Sequence, residues 1–149
     1  MAAEFRYVIV DTAPGLLEHT LAALDLATDV VLVSGVDVPS VRGMHKELRL
    51  LTELNLVQAS RYIVLNFADR REGLTVQDIQ SMIGLPADIV ITRSKAVALS
   101  TNRGVPLLQG ESRDRAAKEL SRLVTRLGPA ATSAKGRGRH RAAESVAAR

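Results

Sequence analysis

The chain alternates short unbroken apolar runs with longer stretches in which apolar residues recur every three or four positions. A run of four to eight apolar residues suits a strand covered on both faces of a parallel sheet, and the wider spacing suits a helix lying on such a sheet. Tyr7-Val-Ile-Val10 is the first run; it stops at Asp11, and Pro14-Gly15 turns the chain. Leu16 to Leu26, with apolar residues at 17, 21 and 24, predicts a helix. Val30-Val-Leu-Val-Ser34 predicts a second strand, and Gly35 to Pro39 a turn. Ser40 is the predicted cap of a helix reaching Leu54, with Val41, Met44, Leu48 and Leu51 on its buried stripe.

The same unit then recurs. Arg61 to Leu65 reads as a strand ending at Asn66, followed by a polar loop from Ala68 to Gly73. Thr75 opens a short helix carrying Val76, Ile79, Met82 and Ile83, which Gly84 and Pro86 close. Asp88-Ile-Val-Ile-Thr92 is a fourth strand, and a helix starts at Ser94 or Lys95, runs through Ser100 and is ended by Asn102-Arg-Gly104. Val105 to Leu108 is expected to be extended or looping. Ser112 to Leu127 is the closing helix, with Ala116, Leu120, Leu123, Val124 and Leu127 as its stripe. Strand alternating with helix predicts an α/β fold: three layers, a mostly parallel sheet with helices on both faces.

Composition sharpens this picture in three places. The chain has 149 residues, enough for one domain with a core, and Gly128-Pro129 separates an expected domain of residues 1–128 from an expected disordered tail of residues 129–149. Residues 1–128 hold 15 Lys/Arg and 15 Asp/Glu, whereas the tail holds five Lys/Arg and one Glu, so the net charge of +4 belongs to the tail. Such a tail suits weak, salt-sensitive contact with acidic lipid or nucleic acid, and equally suits mere solubilisation. The absence of cysteine excludes disulfides, thiolate metal sites and a Cys nucleophile. No apolar run approaches the roughly 20 residues of a transmembrane helix, and the polar start is unlike a secretory signal, so a cytoplasmic location is expected.

Asp11 is the first candidate for chemistry. At the carboxyl end of a parallel strand an aspartate is placed where open α/β sheets bind ligands, and a carboxylate suits Mg²⁺, directly or through water. The same residue also suits capping a helix that begins near Ala13 or Pro14. Asn66 stands at another strand end; its amide donates and accepts at once, which fits adenine, and it also fits a turn former bonding its own backbone. His19 on the first helix has no partner in sequence to make it a base, and Arg42, Lys46, Arg49 and Glu53 read as a solvated helix face.

Taken in order, Val8-Ile-Val-Asp-Thr-Ala-Pro-Gly15, Thr28-Asp-Val-Val-Leu-Val-Ser-Gly-Val-Asp-Val-Pro-Ser-Val-Arg42, Ile63-Val-Leu-Asn-Phe-Ala-Asp-Arg-Arg-Glu-Gly73 and Asn102-Arg-Gly-Val-Pro-Leu-Leu108 resemble the MinD/ParA-type P-loop ATPases, most of all their CpaE/TadZ pilus-assembly branch. The first stretch resembles the Walker B segment. The resemblance implies a partial P-loop NTPase fold, with ATP and Mg²⁺ as cofactors. It implies Asp11 as the catalytic and metal-holding residue, Thr12, Pro14 and Gly15 near the γ-phosphate, Asn66 reading the base, and Val105 and Pro106 packing beside it. It also implies a homodimer, a protein partner in a positioning, secretion or pilus machine, and peripheral attachment at the inner membrane or a cell pole.

The chain departs from that pattern in two respects. The family's Gly-rich phosphate loop with its lysines is missing from the sequence, and neither Lys46 nor Lys95 lies in a Gly-rich strand-to-helix turn that would replace it. Gly43 stands where MinD has an acidic residue at the start of the long helix, which weakens the expectation of MinD's dimer switching. Two readings follow. In one, the chain is the carboxyl-terminal portion of a MinD/ParA/CpaE-like ATPase whose phosphate loop lies upstream. In the other, it is a non-catalytic localisation or scaffold module that keeps the fold without nucleotide turnover. Either way little or no ATPase activity is expected of the 149 residues alone, and an exposed apolar face and sheet edge are expected to favour dimerisation or aggregation.

Overall fold

The computed structural model describes residues 4–56, 60–69, 74–110 and 113–128. The predicted tail, and residues 70–73 of the predicted polar loop, lie outside them. Three strands, β1 (Asp29–Ser34), β2 (Ser60–Ala68) and β3 (Ile89–Thr92), form a parallel sheet in the order β1-β2-β3. The helices are α1 (Glu18–Leu26), α2 (Val38–Glu53), α3 (Val76–Ile83), α4 (Lys95–Arg103), the single turn α5 (Leu107–Gly110) and α6 (Arg115–Leu127). The chain divides into two compact units, residues 1–64 with 70–88, and residues 65–69 with 89–149.

In the first unit α2 packs on β1 and α3. The helix starts earlier than predicted: Asp37 is its cap, accepting from the Ser40 backbone N–H at 2.9 Å and the Ser40 hydroxyl at 2.7 Å. Pro39 explains the shift, because proline's fixed φ favours the first turn and moves the cap back to the aspartate before it. Val41, Met44, Leu48 and Leu51 are all buried, as the periodicity predicts. Burial of each such side chain stabilises by roughly 1.5–3 kcal/mol. In α3 the Thr75 and Asp78 side chains each accept from the other's backbone N–H, and Gly84 closes the helix at φ +76°. The Asp88 carboxylate accepts from Ile63 N–H at 2.9 Å while Ile63 C=O accepts from Asp88 N–H at 2.8 Å, which fixes the chain's entry into β3 against β2.

In the second unit α6 packs on β3 through Ala116 and Ala117, both buried, and α5 bridges α4 and α6. Small residues on α6 let the helix approach the strand closely. Asp114 begins α6, accepting from the N–H of Ala116 at 2.8 Å and of Ala117 at 3.4 Å, so the helix starts there and not at the predicted Ser112, which lies outside the described residues. The same carboxylate accepts from the Ser94 hydroxyl at 2.8 Å, and Ser94 itself caps α4. One acid thereby fixes two helix starts. Val105 and Pro106 do connect elements without forming one, but Leu107 and Leu108 turn helical after the proline, where an extended or looping path was predicted.

The largest departure is at the beginning. Tyr7 to Val10 form no strand: they pair with no described residue in the sheet, and Phe5, Tyr7, Val8, Ile9 and Val10 are all exposed, Ile9 by 91%. A strand needs at least one paired edge and a covered face, and none of the described residues supplies these to this run.

Candidate functional site

The sequence-derived residues fall into two groups, one in each unit. Asp11, Thr12, Pro14 and Gly15 belong to the first unit and are exposed on an extended stretch that turns at Pro14 and Gly15, the glycine at φ +90°. Asp11 does not cap a helix, because α1 begins at Glu18 with Leu17 in the cap position and no side-chain hydrogen bond to its first turn. That removes the structural role weighed for Asp11. The carboxylate has no hydrogen-bond partner among the described residues, and no group of three or more His, Cys, Asp or Glu able to hold a metal occurs among them. A single acid is compatible with Mg²⁺ that keeps most of its water and takes further oxygens from phosphates.

Asn66, Val105 and Pro106 belong to the second unit. Asn66 does not end β2 as predicted; the strand continues through Phe67 to Ala68, and the side chain, half-buried, makes a bond of its own. Its Oδ1 accepts from the N–H of Phe67 at 2.9 Å. Because only the oxygen can accept, this bond fixes which way the carboxamide points, leaving Nδ2 to donate and the second lone pair of Oδ1 to accept. Val105 and Pro106 are exposed on the connection between α4 and α5, just after Gly104 ends α4 at φ +64°.

Sequence reasoning missed Phe67. This residue adopts φ +57°, a region that bulky side chains rarely occupy, and it is 49% exposed. The guanidinium of Arg93 lies 5.6 Å from the ring centroid, while Arg93 N–H donates to Ala68 C=O at 3.2 Å, tying the chain after β3 to the last residue of β2. An aromatic residue directly after Asn66 was the only available signal, and nothing local announces its partner 26 positions on. None of the sequence-derived site residues lines the open groove of about 340 Å³ between α2 and α3, which is bounded by Val41, Arg42, His45, Lys46 and Met82.

No protein-family model matches the chain. Among curated proteins it is 27% identical over 118 residues to the septum site-determining protein MinD of Neisseria meningitidis serogroup B, covering 72% of this chain and 44% of that one. It is 25% identical over 115 residues to MinD of Thermotoga maritima, covering 73% and 42%. The chain therefore spans less than half the length of these relatives. Of solved structures, the ParA family ATPase from Chlorobium tepidum superposes with a TM-score of 0.75 at 23% identity, and MinD from Aquifex aeolicus with 0.72 at 21%; each match covers 85% of this chain and 52% or 54% of the other. MinD from Pyrococcus horikoshii, solved with Mg-ADP, superposes with 0.68 at 17% identity, covering 81% and 49%.

Over the half of each that it covers, the chain has the fold of the MinD and ParA structures, and its curated relatives named here are MinD proteins. The CpaE/TadZ branch, and with it pilus assembly, gains no such support from these matches. Among the described residues no helix is long and apolar enough to cross a membrane.

Proposed function

We propose that the chain is the carboxyl-terminal portion of a MinD/ParA/CpaE-like ATPase that positions or assembles cellular machinery at a division site, a partitioning complex or a pilus base, and that it supplies the base-reading part of the nucleotide pocket. The likeness to MinD and ParA structures, covering most of this chain and about half of theirs, carries this reading. Asn66 fits an adenine edge: Nδ2–H donates to a ring nitrogen and the remaining Oδ1 lone pair accepts from the exocyclic amine. The backbone at Val105 and Pro106 packs beside the base. Asp11 offers one carboxylate to Mg²⁺, with Thr12, Pro14 and Gly15 facing the terminal phosphate.

The residues present fit the base and one metal ligand, but they do not fit the phosphates. Phosphate binding in this class of enzyme relies on backbone N–H groups in a Gly-rich turn and on a lysine. Neither is found in this sequence, so tight ATP binding and hydrolysis require a phosphate loop from outside these 149 residues. The exposed run from Phe5 to Val10 supports the further expectation of a homodimer, or of a protein partner within the positioning machine. The basic tail supplies weak contact with acidic lipid or nucleic acid, and peripheral attachment at the inner membrane follows from that.

Calorimetric titration of Mg-ATP tests the reading, with Asp11→Ala and Asn66→Ala alongside. Weak binding that disappears in Asn66→Ala, with no phosphate release, is expected. Tight binding by the unaltered chain would contradict the missing phosphate grip, and binding indifferent to Asn66 would remove the base-reading assignment.

A further inference from the structure

We infer that Phe67 and Arg93 form a stacking platform for a purine base and that Phe67 also sets which purine is read. The inference rests on Asn66 being the base reader and adds to it two residues and a specificity. Three observations converge within the second unit. Phe67 holds a backbone conformation, φ +57°, that a bulky side chain rarely adopts, and such conformations collect where the surroundings enforce them, often at ligand sites. The residue is half-exposed with a guanidinium 5.6 Å from its ring centroid, so an aromatic residue reaches solvent at the end of a strand buried from Ile63 to Leu65. Third, the N–H that this conformation presents is bonded to Asn66 Oδ1.

Each observation has a chemical consequence. Bases stack on aromatic rings and on guanidinium planes alike, and a ring carrying a cation offers both surfaces to a planar heterocycle. The Arg93 N–H bond to Ala68 C=O holds the two partners in register, so the platform is assembled before any ligand arrives. The Phe67 N–H bond prevents the Asn66 carboxamide from turning over. With its amine fixed as donor, the group matches adenine, whose ring nitrogen accepts and whose exocyclic amine donates. It mismatches hypoxanthine: on the edge carrying N1 both roles are reversed, and on the edge carrying N7 the exocyclic group accepts where adenine's donates.

The test uses nucleosides, which carry no phosphate and so bypass the missing loop. Adenosine and inosine are titrated into the full chain, and the Asn66 side-chain and Phe67 backbone amide resonances are followed by NMR. Adenosine is expected to shift both and to bind at least about tenfold more tightly than inosine. Phe67→Leu is expected to weaken adenosine about tenfold, Arg93→Gln about threefold, and Phe67→Tyr, which keeps the ring, by less than about twofold. A thermal melt of each variant separates lost stacking from lost folding, and a folded Phe67→Leu protein that binds adenosine like wild type overturns the platform. If Asn66→Ala alone abolishes binding, the base-reader assignment survives and the platform fails; if wild type binds neither nucleoside, both fail.

Discussion

Tyr7-Val-Ile-Val10 and Ile63-Val-Leu65 are both unbroken apolar runs, and they have opposite fates. The second is buried at all three residues, with Leu65 fully inaccessible; the first lies open, with Ile9 91% exposed. β propensity is high in both, and if anything higher in the first, so propensity does not decide. Partners decide: β2 has β1 on one side and β3 on the other, whereas no described residue pairs with the first run. The lesson is that an apolar run records what a chain is prepared to bury, and the sheet around it determines whether it does.

The sharpest way to break this contrast is to truncate one residue from each run. Leu65→Ala should cost about 3 kcal/mol in a urea melt, as large-to-small changes in a packed core do. Ile9→Ala should change stability by less than about 0.5 kcal/mol, as exposed substitutions do. Equal losses would show that the first run is packed after all. Ile9→Lys carries the contrast into solution behaviour. Placing a charge in the exposed run should lower the sedimentation coefficient toward that of a monomer, and an unchanged value would mean that the run takes no part in association.

Smaller effects separate the same regions at their helix starts. α6 is capped by Asp114 and α1 by nothing, so Asp114→Ala should destabilise by about 1 kcal/mol, while Leu17→Asp should stabilise by a fraction of that. Paired denaturant melts read both. The smallest effect is with acid. Asp37, Asp78 and Asp114 are held below the usual carboxylate value, chiefly by the hydroxyls of Ser40, Thr75 and Ser94 and then by backbone N–H groups. Their folded-state pKa values lie below the unfolded value of 3.8, so their contribution is complete well above that pH and is lost as pH falls through the folded values. The melting temperature should therefore hold from about pH 5 upward and decline below about pH 4. A decline already beginning at neutral pH would point to other groups.

Much of the fold was legible because its determinants are local. The stripe Val41, Met44, Leu48 and Leu51, the Thr75 cap and the Gly84 and Gly104 stops each depend on residues a few positions apart. Where two local signals compete, the more obvious one misleads: Ser40 has the character of a cap, but Pro39 requires one further back, at Asp37. Asn66 looks like the end of its strand because a polar residue usually interrupts one; here its oxygen accepts the next N–H and the strand runs on. The site was legible only in part. Asp11 and Asn66 stand out as polar residues after apolar runs, but Phe67 meeting Arg93 depends on β2 and β3 ending side by side, which no short window of sequence contains.

The central claim is that the chain reads a base without gripping phosphate, and comparing Mg-ATP with adenosine in the same calorimeter tests it most directly. Dissociation constants within about threefold of each other are expected, since each tenfold gain would need about 1.4 kcal/mol from the triphosphate. Mg-ATP binding about a hundredfold more tightly than adenosine would show that these residues hold the phosphates themselves, and the account would be wrong.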